Sequence, residues 1–341
     1  MRHWLIPVLV GFVPFASAQT AEKTCSAEKT AEIVAPAHGG ATQVAIDCSA
    51  ALPSGSRISK ELVFQGEAAS NITFDCNGAH IVRQSGNGDN VKIRSILHNG
   101  QWQRPQNLTL RNCNIQGALR ISGMNDDTLR TVSRRPDATQ SIQAAAPTHI
   151  TLDKVNITGS RRIPLYLRPG ASYITIKNSH IGGQSDGPAV YFDMESAHNV
   201  FEHNTVEVRT KREQLALDGS AHNTIRHNRF LSPHKGGIFL YRNCGERGVI
   251  RHQTPSSNII SDNYFANKQA GAYRPIIWVA SRNGGKSYCG DDAGYALGSS
   301  ADDRDFAENN RITGNRFDTF WPRFTIKQSW QPNHISDNRG E

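Results

Sequence analysis

Two aspartates one structural period apart are the residues in this sequence best suited to chemistry. The segments Leu165-Tyr166-Leu167-Arg168, Val190-Tyr191-Phe192-Asp193-Met194-Glu195, Leu215-Ala216-Leu217-Asp218 and Phe239-Leu240-Tyr241-Arg242 alternate in the manner of β-strands. Arg168, Asp193, Asp218 and Arg242 recur at nearly even intervals along them. If each interval is one coil of a stacked fold, the four form an outward column in which Asp193 and Asp218 approach to about 5 Å. In this register Leu240 shares the outward face. Carboxylates that close force one pKa upward or bind a cation, and Glu195 lies outward on the same strand as Asp193. The plainer alternative is a charge ladder in which each aspartate pairs with a flanking arginine. Lys235, Tyr241, Arg242 and Arg282 add basic and phenolic groups in the same coils.

The elements that would position these residues show in a repeat. Asparagine is absent from residues 1–70 and frequent thereafter, in Asn199-Val200-Phe201-Glu202-His203-Asn204 and its copies beginning at Asn223, Asn258, Asn310 and Asn333. The shortest gaps, from Asn199 to Asn223 and from Asn310 to Asn333, set the bare period. Three short strands with their turns come to about 20–27 residues, so that period is one coil. The longer gaps, from Asn223 to Asn258 and from Asn258 to Asn310, are coils with insertions, which in solenoids map to loops and often to the binding face. The inner asparagines, Asn204, Asn228, Asn263, Asn315 and Asn338, are expected to stack, their amides hydrogen-bonding from coil to coil. His198 and His222, like His203 and His227, lie one bare period apart inside the motif, which favours turn or ladder roles. His222, near Asp218, is the histidine retained as a candidate base.

Composition bounds the rest. The chain has 341 residues, a formal charge of +8 and 37% hydrophobic residues, which excludes long disorder and suits a polyanionic partner. Met1-Arg2-His3, an apolar run from Trp4 to Phe15 and Ala16-Ser17-Ala18 have the layout of a signal peptide, so export is expected. In an oxidising compartment the six cysteines read as disulfides between sequence neighbours: Cys25 with Cys48, Cys76 with Cys113, and Cys244 with Cys289.

The N-x-I-x-x-N coils resemble the right-handed parallel β-helix proteins of the pectate-lyase-like superfamily, over about residues 71–341. The resemblance implies an all-β solenoid: a signal peptide at 1–18, an N-terminal cap at 19–70 and the parallel β-helix at 71–341. It further implies a substrate chain lying along one exposed sheet. The activity so implied is that of an exported polysaccharide lyase cleaving an acidic, uronate-containing polysaccharide by β-elimination, or of a C5-epimerase of such a polymer. β-Elimination needs the C5 carboxylate neutralised, the C5 proton removed and the leaving oxygen protonated. On this reading Arg242 binds the carboxylate, Lys235 or His222 removes the proton and Tyr241 donates one. Arg168 and Arg282 bind substrate, while Asp193, Glu195 and Asp218 hold Ca²⁺ or partner the charges. The alternatives are a retaining glycoside hydrolase using Asp193 and Asp218, or a non-catalytic glycan-binding surface protein. A monomer acting on an acidic polysaccharide is expected, without nucleic acid, without membrane insertion after signal cleavage, and with Ca²⁺ as the one cofactor.

Overall fold

A computed structural model describes residues 23–39, 42–83, 88–267, 274–284, 290–319 and 325–340. The expected signal peptide and Cys289 lie outside the described residues. Among those described, ten parallel strands stack into one long sheet. They are β1 (Gln43–Ala45), β2 (Glu61–Gln65), β3 (Val91–Arg94), β4 (Leu119–Ser122), β5 (Leu165–Leu167), β6 (Val190–Phe192), β7 (Leu215–Asp218), β8 (Ile238–Tyr241), β9 (Ile277–Val279) and β10 (Ile326–Gln328). The other parallel strands form two further stacks, joined where Gln106–Gln116 and Thr148–Arg161 run through both. Sheet stacking already begins at Gln43, upstream of residue 71. Helix α1 (Ala27–Val34) closes that end and buries Ile33 completely.

The alternation in each strand explains the core. Leu165, Leu167, Val190, Phe192, Leu215, Leu217, Ile238 and Leu240 are all fully buried and pair in register from β5 to β8. On the other stacks Phe230, Phe265 and Phe317 lie ring over ring at 4.9 and 5.2 Å. Each such side chain contributes about 1.5–3 kcal/mol by leaving water.

Both asparagines of the repeat build ladders. Asn228 donates from its backbone and side-chain nitrogens to Asn263 Oδ1 at 3.0 Å, and Asn263 does the same to Asn315 at 3.1 and 3.0 Å. The first asparagine of each motif repeats the pattern from Asn223 through Asn258 and Asn310 to Asn333. Buried turn amides are satisfied this way in each of these coils.

The turns beside the ladders require a left-handed residue. Asn71, Asn107, His149, Tyr173, His198 and His222 hold φ between 55° and 60° at one corner, and Asn178, His203, His227 and Asp262 hold it between 53° and 55° at another. Asparagine, aspartate and histidine tolerate this region best, which is why they recur there. The histidines are turn residues, as the repeat implies, and their rings stack: His198 on His222 at 4.9 Å and His203 on His227 at 5.1 Å. Cys25–Cys48 and Cys76–Cys113 are disulfides with Cα separations of 5.0 and 4.9 Å. Cys244 is also disulfide-bonded.

Candidate active site

The register of the long sheet sets the column. Tyr166 pairs with Tyr191 and Leu167 with Phe192, so Arg168 stands beside Asp193, with Asp218 next. Asp218 then pairs with Tyr241, not with Arg242. Leu240 faces the core, which moves Tyr241 outward and carries Arg242 past the strand end. There Arg242 donates to the carbonyls of Arg304 at 3.0 Å and Asp302 at 2.5 Å, and its ring contact is Phe306. Arg242 thus anchors the 302–306 loop instead of completing the column.

The two aspartates carry matched phenols. Tyr166 donates its hydroxyl to Asp193, and Tyr191 donates to Asp218 in the next coil. Asp218 is fully buried and also accepts from Asn243, at 2.7 Å from the backbone and 2.6 Å from the side chain. Arg251 lies between the carboxylates, 3.8 Å from Asp193 and 3.5 Å from Asp218. Burial raises Asp193 to about 6, with Arg251 opposing and Asp218 adding to the rise. Burial, then the neighbouring carboxylate, holds Tyr166 and Tyr191 well above the ordinary tyrosine range. Burial works against the charge of Arg251, yet Asp218 and Asp193 outweigh it and its value rises.

This arrangement does not fit Ca²⁺. The Arg251 guanidinium takes the position between the carboxylates that a cation would need. Glu195 turns away from Asp193 because its own φ is 58°. It accepts instead from Thr139 Oγ1 at 2.6 Å, from the His252 amide at 2.7 Å and from the Gln253 amide at 3.1 Å. Among the described residues no three His, Cys, Asp or Glu side chains gather as a metal site.

Glu195 instead ties down a cover. The helices α2 (Asp126–Val132) and α3 (Ala138–Ala145) pack with the 243–257 insertion in a small core of Met124, Leu129, Val132, Ile142, Met194 and Val249. Asp126 joins the cover to the sheet, accepting from Arg168 and, at 2.9 Å, from Arg247. Arg168 Nε is buried and has no hydrogen-bond partner among the described residues.

Tyr241 is enclosed. Its hydroxyl donates to Glu213 at 2.8 Å and accepts from Arg212 at 2.8 Å. The Arg282 guanidinium stands 4.0 Å over the Tyr241 ring and hydrogen-bonds Asn243. Lys235 is exposed in the turn before β8 and lines a depression with Glu207, Arg209 and His234 on the neighbouring stack. His222 sits in its stacked turn, its backbone amide bonded to Ser256. The structure therefore gathers Arg168, Asp193, Asp218, Tyr241 and Arg282 on one face, and leaves Lys235, His222, Glu195 and the Arg242 head group apart from it.

Sequence reasoning missed Tyr166, Tyr191, Arg251, Asn243 and the Arg212–Glu213 pair. A signal existed for the two tyrosines, each standing two residues before a column member. The same outward row continues the face: Lys92, Arg120, Tyr166, Tyr191, Ala216, Phe239, Trp278 and Lys327 are in register. Tyr166 and Trp278 keep part of their surface in water, with Arg120 at 5.3 Å and Lys327 at 4.3 Å from the respective rings.

Residues 77–273 match the family model described as a right handed beta helix region. No curated protein matches the chain. Among solved structures, an alginate lyase from Paenibacillus sp. str. FPU-7 is similar at 13% identity, with 73% of this chain and 95% of that one covered and a TM-score of 0.39. An endo-xylogalacturonan hydrolase from Aspergillus tubingensis is similar at 10% identity, covering 86% of each chain, with a TM-score of 0.45. The DFA-IIIase from Arthrobacter chlorophenolicus A6 is similar at 14% identity over 92% of this chain and 81% of that one, with a TM-score of 0.46.

Proposed function

The chain belongs to the right-handed β-helix family, and from that premise we propose that it is an exported lyase acting on an acidic, uronate-containing polysaccharide. The observation that carries this reading is the Tyr166–Asp193 pair, a part-exposed tyrosine whose hydroxyl bonds a buried carboxylate on a face that also carries Arg168, Arg212 and Arg282. The arginines attract and neutralise uronate carboxylates. Arg168 holds the carboxylate at the reacting sugar, which acidifies its C5 proton.

Tyr166 then does the proton work. Its oxygen takes the C5 proton as its own proton passes to Asp193, whose value near 6 suits a proton acceptor at neutral pH. The C4–O bond breaks with its electron pair, C4 and C5 become doubly bonded, and Tyr166 protonates the leaving oxygen. Asp193 returns its proton to Tyr166, so the C5 proton ends on the leaving group. Proton return to the opposite face of C5 without bond cleavage would be epimerisation. The enclosure of Tyr241 and the placement of Lys235 and His222 support giving these roles to Tyr166 and Asp193.

A retaining hydrolase needs two carboxylates free to meet the sugar. Asp193 and Asp218 lie in adjacent coils, which suits that chemistry, but Asp218 already accepts from Tyr191 and Asn243. Incubation of purified protein with polygalacturonate and with alginate tests the proposal. Unsaturated ends, detected by ultraviolet absorbance, are expected; saturated reducing ends would support the hydrolase, and no product from either polymer would sink the lyase.

A further inference from the structure

Outward charges on the second and third stacks follow two different rules. In one column Asp75, Arg111, Asp153, Lys177, Glu202 and Arg226 are in register and alternate in sign. Each cation there pairs with an acid: Arg111 with Asp75 at 2.8 Å, Lys177 with Asp153 at 3.7 Å and Arg226 with Glu202 at 2.7 Å. Such alternation cancels the repulsion that stacking like charges would bring.

The neighbouring column does not alternate in sign. Arg229 pairs with Tyr264, Tyr264 with Arg316 and Arg316 with Arg339, and the three arginines are exposed. No acid stands within this run, which spans about 14 Å at the strand spacing. Its acidic neighbour, Asp318, belongs to the adjacent column and accepts from the Tyr264 hydroxyl at 3.1 Å. The Arg229 guanidinium lies 5.3 Å over the Tyr264 ring. Upstream on the same stack, Arg209, His234 and Lys235, with Glu207 among them, line the depression described above.

We infer that the Arg229–Tyr264–Arg316–Arg339 column is a docking surface for an acidic polysaccharide, separate from the candidate active face. A polymer bearing one carboxylate per sugar complements a single file of guanidinium groups, and the tyrosine among them offers a sugar ring an apolar face. A membrane surface would meet a flat sheet without large apolar side chains in the column. A duplex nucleic acid would bring dense phosphate against Asp318 and Glu207. The identity of the polymer rests on the proposed lyase function; the existence of the surface does not. Anchoring a long chain here keeps the enzyme on its substrate between cuts.

The full chain is run on native gels containing polygalacturonate, alginate or neutral dextran. Wild type is compared with the double variant Arg229→Gln/Arg339→Gln and with Tyr166→Phe. Wild type and Tyr166→Phe should be retarded by the uronate polymers and not by dextran. The double variant should bind about tenfold more weakly, with an unchanged unfolding midpoint and unchanged turnover of uronate tetramers, which are too short to reach both faces. Equal retardation of wild type and double variant overturns the inference, and so does equal retardation by dextran. A preference for duplex DNA or anionic phospholipid vesicles, added as competitors, also overturns it. If no polymer yields unsaturated ends the lyase reading falls, while retardation still decides the surface.

Discussion

Tyr191 donates its phenolic hydrogen bond to Asp218 of the next coil, repeating by one coil's translation what Tyr166 does to Asp193. The two copies differ in access. Tyr166 keeps part of its surface in water, whereas Tyr191 is 8% exposed and its carboxylate has no exposure at all.

Access predicts different kinetic effects for the same substitution. Tyr166→Phe should lower kcat by about 10²–10⁴-fold and, because Asp193 is buried as well, also cost about 1–3 kcal/mol of stability. Tyr191→Phe should cost about 1–3 kcal/mol of stability, since a buried carboxylate loses a donor. Steady-state kinetics beside denaturant unfolding separates the two. Equal kinetic losses would remove Tyr166 from its role.

Arg251 is 5% exposed and faces both aspartates. Arg251→Met should destabilise the fold by about 3–5 kcal/mol at pH 7, because it strands two carboxylates without a counter-charge. The loss should shrink at pH 5, where Asp193 takes up a proton. Unfolding curves at the two pH values provide the check.

Asp193 links pH to both stability and turnover. Burial lifts it from 3.8 to about 6 in the folded protein. Folding therefore favours the protonated acid, and that stabilisation is fully present below about 3.8 and is lost as pH rises through about 6. The stability of wild type relative to Asp193→Asn should fall across this window. Since the ionised form accepts the proton in catalysis, kcat should rise over the same range. A flat difference in unfolding free energy between pH 4 and 7 would count against the assignment.

His198 shifts the other way, lowered from 6.5 first by burial and then by His222. Folding favours the neutral ring, so its contribution is present above pH 6.5 and is lost as pH falls through the lower folded value. His198→Asn keeps a residue suited to the left-handed turn, as Asn71 and Asn107 show at the same corner. Wild type should lose stability relative to this variant on acidification, measured by thermal melts from pH 7.5 to 5.

Asn263 accepts two bonds from Asn228 and donates to the Ile225 carbonyl at 2.9 Å. Asn263→Ala leaves buried amide groups unpaired and should cost about 3 kcal/mol or more. Asn338→Ala, in the last and more exposed coil, should cost about 1 kcal/mol. Chemical denaturation of the two variants would show the ordering or its absence.

The repeat made the fold legible, because one coil's turn chemistry recurs at fixed positions: asparagine where buried turn amides need partners, histidine or asparagine where φ is positive. The site was legible where it lies on regular strands, so Asp193, Asp218 and Arg168 appeared in the expected column. It failed by one place at the end of β8, where the alternation left Arg242 beyond the last paired residue. Arg251 left no pattern to read, since an irregular insertion carries it past β8 and out of the repeat before it meets Asp218 in space. Glu195 was misplaced for a local reason, a left-handed backbone that no alternation rule anticipates.

The asparagine ladders have a polarity. In each, the earlier coil donates and the later coil accepts, from Asn223 to Asn333 and from Asn228 to Asn338. Side-chain amide dipoles aligned head to tail polarise one another, so each added rung strengthens those before it. The solenoid is accordingly a vector as well as a stack. A coil duplicated in the middle of the run would be received in register by both neighbours, whereas a coil inserted in reversed orientation would set donor against donor at one junction and acceptor against acceptor at the other.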